Sequence, residues 1–134
     1  MKHNWPEILA AQIEGMDGVP FEWGKTDCCM FAANVVEAMT GIDYAKEFRG
    51  KYKTMKGAIR ALKRKGLDEV MDGKFKRTDF PKRGDVVLIN KEITEQPIPA
   101  LGICIGMQIA LMGDDGLEFL PIGMEAAAWD VHNG

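Results

Sequence analysis

Apolar and polar positions along this chain follow two different periods, one in each half. Cys28, Phe31, Ala32, Val35, Val36 and Met39 fall at i, i+3, i+4, i+7, i+8 and i+11, the spacing of an amphipathic helix. The pattern predicts a helix capped by Thr26 or Asp27 and stopped at Thr40-Gly41. Upstream, Asn4 and Glu7 stand in capping-box spacing, Ile8, Leu9, Ala11 and Ile13 give an apolar side, and Gly15 closes a first helix. Asp17–Trp23, marked by Gly18 and Pro20, reads as a loop. A short helix is expected near Tyr44–Phe48. Another begins at Thr54, with Ala58, Ile59 and Leu62 on one side. Lys63, Arg64 and Lys65 lie near its end, where cations suit the helix dipole, and Gly66 terminates it.

In the second half the period shortens. Pro81–Asp85 is a turn, Val86–Ile89 reads as a buried strand, and Asn90–Pro99 as a polar loop. Leu101–Ile105, Met107–Leu111 and Leu117–Leu120 read as three further strands. They are joined at Gly106 and at Gly113-Asp114-Asp115-Gly116, the second a hairpin signal. Trp129–Val131 adds a short final strand. Helices followed by antiparallel strands define an α+β fold, N-terminal helices packed on a C-terminal antiparallel sheet. With no repeat, low-complexity tract or linker, residues 1–134 read as a single domain.

Composition narrows the class. Of 134 residues 46% are apolar and 28% charged, enough apolar material to exclude disorder as the main state. The longest apolar stretch, residues 100–112, is too short for a membrane span and contains Gln108 and two glycines. Trp5, Pro6, Glu7 and Glu14 occupy the place of a signal peptide's apolar region, so no secretory signal is expected. Three cysteines, two of them adjacent, suit thiols in a reducing compartment better than a disulfide framework. Their spacing is not that of a metal site, and no cofactor is expected.

The net charge of −3 conceals a division. Residues 1–45 carry −5, residues 46–83 carry +9 and residues 84–134 carry −7. The basic middle could face a polyanion, an acidic partner or the acidic ends of the same chain, or be a solvated set of helix faces. No nucleic-acid-binding motif is present. The aromatics in and beside the segment (Tyr44, Phe48, Tyr52, Phe75 and Phe80) form no evident stacking platform, so nucleic acid ranks last among the partners.

One stretch carries candidate chemistry: Phe21-Glu22-Trp23-Gly24-Lys25-Thr26-Asp27-Cys28-Cys29-Met30-Phe31. A Trp-Gly loop leads into Asp-Cys at the first turn of a buried helix. Free N–H groups and the helix dipole there favour a thiolate, which makes Cys28 a candidate nucleophile. Asp27 opposes this if its carboxylate is close. Cys29 and Cys104 read as small packing residues, and Trp23 and Trp129 as core or groove-wall residues.

From this stretch onward the chain resembles the NlpC-type branch of the papain-like cysteine peptidases. Trp23-Gly24 and Asp27-Cys28 match the branch's Trp-Gly loop and Asp-Cys helix start. Arg83-Gly84-Asp85-Val86-Val87-Leu88 matches its turn into the first strand. Ala100-Leu101-Gly102-Ile103-Cys104-Ile105-Gly106 matches the strand that in active members begins with His. The three elements occur in order over roughly residues 19–112, and the overall cast looks most like a small phage family found among tail genes. The resemblance implies a papain-like fold with Cys28 at the nucleophile position, Asp27 before it, and Trp23 and Gly24 in the binding loop. It also implies a general base at position 100, which is Ala100 here. The polar residue that orients that base should come from the next strand, which offers only Gln108. Of the two histidines, His3 and His132, only His132 lies where it could fold back as a base. The expected function is a degenerate papain-like domain acting as a structural or binding component of a phage tail tip, with other tail proteins or a cell-wall peptide as partners. The alternative is an active cysteine peptidase or amidase on bacterial cell-wall peptides.

Overall fold

The computed structural model describes residues 1–132. In chain order they form helices α1 (Trp5–Gly15), α2 (Met30–Thr40), α3 (Met55–Arg64) and α4 (Leu67–Asp72), then strands β1 (Lys76–Arg77) and β2 (Val86–Ile89). A short helix α5 (Lys91–Thr94) is followed by β3 (Ala100–Cys104), β4 (Gln108–Gly113), β5 (Gly116–Pro121) and β6 (Ala127–Asp130). The strands make one antiparallel sheet in the order β1-β6-β2-β3-β4-β5. This is the α+β arrangement that the two periods predict.

Helix α2 is the centre of the packing. Met30, Phe31, Ala32, Ala33, Val35, Val36 and Met39 are all buried, and the helix packs against α1, β3 and β4. Each large side chain placed there contributes about 1.5–3 kcal/mol of hydrophobic stabilisation. Gly41 stops the helix in a left-handed conformation (φ 82°), its N–H donating to the Glu37 carbonyl. Strand β3 is buried along its whole length, as a central strand beneath a helix should be.

Several local expectations change. Asn4 occupies the cap position of α1 without a side-chain cap hydrogen bond, so the capping box does not form. Thr54 does cap α3, accepting from the Gly57 N–H. Regular helix α2 begins at Met30, later than a cap at Thr26 or Asp27 suggests. No helix forms at Tyr44–Phe48. Asp43 Oδ1 accepts from the Ala45 N–H, Phe48 and Arg49 N–H both donate to the Ala45 carbonyl, and Gly50 (φ 73°) turns the chain away. One turn closes there and does not propagate. The sequence pattern missed α4, β1 and α5. Helix α4 has too few residues for a period to show, and it is fixed by burial of Leu67, Val70 and Met71. The two residues of β1 are strand only because Lys76 and Arg77 pair with Asp130 and Trp129. The last strand is Ala127–Asp130, not Trp129–Val131.

The turn into β2 is built around a second buried acid. Asp85 N–H donates to the Lys82 carbonyl, and Gly84, third in the turn, takes φ 98° as a type II turn requires. Gly84 N–H donates to the Cys104 carbonyl while Cys104 N–H donates to that of Asp85, so two residues oppose one in a β-bulge. The Asp85 carboxylate is fully buried. It accepts from Lys82 N–H at 2.9 Å and Val131 N–H at 3.2 Å, and lies 3.6 Å from Lys82 Nζ. It thus ties the turn to the end of the chain. Asp85→Ala would leave the buried Val131 amide and the part-buried Lys82 amide without their acceptor and is expected to lower unfolding free energy by roughly 2–4 kcal/mol. The check is a lower urea midpoint at unchanged m-value, with Asp85→Asn losing less because it keeps one acceptor.

Candidate functional site

The segment Trp23–Met30 folds around the carboxylate of Asp27. Gly24 takes φ 82°, and its N–H donates to Asp27 Oδ2 at 2.7 Å. Asp27 Oδ1 accepts from the N–H groups of Cys29 at 2.8 Å and Met30 at 2.9 Å, and the Asp27 carbonyl accepts from Phe31 N–H. In hydrogen-bonding terms Asp27 caps the helix, although the regular helix starts later. The fourth donor comes from far along the chain: Tyr52 OH reaches Asp27 Oδ2 at 2.8 Å. Asp27 has no solvent exposure, and four donors fill the acceptor sites of its carboxylate.

Gly24 makes that last contact possible. A Cβ at this position would collide with the backbone carbonyl of Tyr52, so only glycine lets the Tyr52 segment approach closely. Trp23 beside it is half-buried and packs edge-to-face on Phe21, ring centroids 4.8 Å apart.

Cys28 is fully buried. Its carbonyl accepts from the Leu101 N–H at 2.8 Å, which docks the start of α2 onto the start of β3. Ala100, the first residue of β3, is also fully buried. The amides that a thiolate would draw on, those of Cys29 and Met30, both donate to Asp27. Cys29 Sγ lies 3.8 Å from the Pro99 carbonyl. The Cys29 thiol is pushed well above the usual cysteine value, first by its hydrogen bond with Cys28, then by burial, then by the neighbouring negative charge. Burial, and next the charge of Asp27, likewise push the Tyr52 phenol up, so it remains a donor.

The donor atoms of Asp27, Cys28 and Cys29 lie within 4.8 Å of one another. They fit a metal ion poorly. The group is sealed from solvent, offers three ligands where a structural zinc takes four, and includes a carboxylate that would have to release buried N–H groups. Beside Cys29 is a cavity of about 20 Å³, lined by apolar side chains that include Ala58, Leu62 and Leu101 together with Tyr44 and Tyr52. That is room for one water-sized molecule, not a peptide. The buried Tyr44 hydroxyl has no hydrogen-bond partner among the described residues, and burial pushes its pKa up.

His132 lies elsewhere. Its Nε2 is 2.8 Å from the Arg83 carbonyl and 3.5 Å from Asp85 Oδ1, and its ring packs edge-on against Trp5 at 4.8 Å. These partners belong to the Cys104 end of β3, whereas Cys28 is bonded at the Leu101 end. Three residues of extended strand separate the two ends, about 10 Å. The fold therefore brings Trp23, Gly24, Asp27 and Cys28 together and sends His132 to Asp85. Gln108 is exposed on β4, opposite Pro121. Trp129 is a core residue whose indole N–H donates to Asp72 Oδ1 at 2.9 Å. The residue that sequence reasoning missed is Tyr52. It sits between two lysines in a stretch with no period, and only the glycine at position 24 hints that something must pass close by.

The architecture and site thus define an α+β domain with a buried Asp-Cys helix start docked on a six-stranded antiparallel sheet. The chain belongs to the family described as Domain of unknown function (DUF6950), whose model matches residues 1–131. No curated protein and no solved structure matches it significantly. Among the described residues no helix is long and apolar enough to cross a membrane.

Two outcomes follow from the Asp27 cluster. Gly24→Ala is expected to cost more stability than Tyr52→Phe, because it moves backbone, whereas Tyr52→Phe removes one donor to a charged acceptor, about 1.5–3 kcal/mol. Urea titrations of the two variants would show the order. Cys29, Tyr44 and Tyr52 all have folded-state values above their unfolded ones. Their protonated forms stabilise the fold fully below the unfolded-state values and lose that contribution as pH climbs beyond them. The urea midpoint should hold from about pH 6 to 8 and fall between about pH 9 and 11. A flat midpoint across the upper range would contradict the buried, protonated cluster.

Proposed function

We propose that this chain is a non-catalytic domain of papain-like ancestry that acts as a structural or binding component, of the kind the resemblance associates with phage tail tips. One observation carries the reading: Cys28, at the nucleophile position, has no solvent exposure. Its surroundings support it. Ala100 stands where the family's base would be, the acceptor capacity of Asp27 is full, and the helix-start amides are taken. A peptidase needs a thiolate, a base to form it and a proton donor for the leaving amine, with substrate within reach of the sulfur. The cavity beside the neighbouring Cys29 holds about 20 Å³, and Cys28 itself has no solvent exposure. The Asp-Cys start serves as a joint between α2, β3 and the Tyr52 segment. Partners on this reading are other tail proteins or a cell-wall peptide bound without cleavage.

The test is site-resolved alkylation of the native protein with iodoacetamide at about pH 7, read by peptide mass spectrometry, beside an amidase assay on peptidoglycan fragments. Cys28 should label slowly until denaturant is added, and wild-type and Cys28→Ala should show the same background turnover. Fast labelling, with turnover lost in both Cys28→Ala and His132→Ala, would establish an active cysteine amidase or peptidase and end this reading.

A further inference from the structure

The basic middle segment resolves, in the fold, into a face. Lys56, Arg60, Lys63 and Arg64 of α3 are exposed, and Lys51 and Lys53 are exposed just before the helix, with Lys65 half-exposed after it. Ala58, Ala61 and Leu62 on the other side of α3 line the small cavity and belong to the packed interior. The cations of the segment that do find carboxylates lie outside this set: Arg49 with Glu37 and Asp43, Arg77 with Asp68 and Asp72, Lys82 with Asp85 and Asp130. Among the described residues, no carboxylate comes within 4.0 Å of any of the seven.

Such a face weakens the isolated helix. Lys56/Arg60 and Arg60/Arg64 are like-charge pairs at i,i+4, and Arg60/Lys63 one at i,i+3. Lys56 stands in the first turn with no acid beside it, at the positive end of the helix dipole. The rest of the chain is acidic, −5 before residue 46 and −7 after residue 83, so the field is strongly one-sided.

The composition of the face selects the partner. Protein–protein interfaces draw their energy from apolar and aromatic anchors and are depleted in lysine. Insertion into a bilayer needs the apolar side of an amphipathic helix, and here that side is used by the fold. Single-stranded nucleic acid needs exposed aromatics to stack on, and the aromatics beside this face, Phe48 and Tyr52, are half-buried and buried, while the exposed Phe80 lies outside α3, in the segment before β2. What remains is lysine and arginine presented along about 15 Å of rigid helix, which suits phosphates held at fixed spacing. We propose that the face formed by Lys51, Lys53, Lys56, Arg60, Lys63, Arg64 and Lys65 binds the phosphodiester backbone of double-stranded nucleic acid without reading its sequence. The inference rests on this face alone and stands whether or not Cys28 is reactive.

The test is fluorescence anisotropy of the full chain with two unrelated labelled 20-base-pair DNA duplexes, from about 25 to 200 mM NaCl. The expected result is equal affinity for both, with a log–log salt slope of about −4, corresponding to roughly four or five phosphate contacts. Lys56→Glu/Arg60→Glu/Lys63→Glu should weaken binding at least about tenfold while keeping the wild-type circular dichroism spectrum, and Lys2→Glu/Lys91→Glu, away from the face, should change it less than about twofold. Three results would overturn the assignment: no binding at the lowest salt, binding indifferent to the triple charge reversal, or equal or tighter binding to polyglutamate or to vesicles containing anionic lipid. Should the triple variant unfold, the single Arg60→Glu variant, expected to lose about threefold and to flatten the slope by about one, decides between the same outcomes.

Discussion

A carboxylate with no access to water must be met by donors from the protein, and at Asp27 four of them converge. Three are backbone N–H groups from the turn that opens α2, and the fourth is the phenol of Tyr52. Because those partners come from both sides of the loop and from a distant segment, the charge fixes where α2 begins and how the Tyr52 segment crosses it. The Cys28 carbonyl then hooks the same turn to Leu101, which sets the helix against the central strand. Removing the charge would loosen a junction, since each donor would be left buried and unpaired.

The other end of β3 repeats the solution. Asp85 is equally buried and again works with a glycine of positive φ, Gly84, in a tight turn. Its donors are the Lys82 and Val131 amides, and His132 packs beside it. Both aspartates that stand in motif-like surroundings therefore act as joints, one at each end of the central strand. The histidine that could have been a base is held at the second joint, out of reach of the cysteine at the first.

The segment between α2 and α4 has two duties. Its inner side, with Tyr44, Tyr52, Ala58 and Leu62, covers the start of α2 and leaves only a water-sized space. Its outer side carries the exposed cations of α3. Packing on Cys29 and Met30 at the start of α2 and presenting the basic face are consequences of one placement.

The sequence by itself determined the α+β class, helix α2 and its apolar face, the Thr54 cap, and the hairpin between β4 and β5. These depend on local period, caps and turn residues, which neighbours in the chain decide. It also marked Gly24, Asp27, Cys28 and Gly84-Asp85 as unusual, but not in which role. Whether Asp27 caps, polarises or binds depends on who supplies its fourth hydrogen bond, and Tyr52 is 25 positions away with no pattern pointing to it. Short elements such as α4 and β1 exist only because the core and β6 pair with them. The burial of Cys28, the destination of His132 and the exposure of the basic side of α3 were decided by the tertiary structure alone. Each depends on what packs on a residue from elsewhere in the chain, and a one-dimensional pattern carries no information about that.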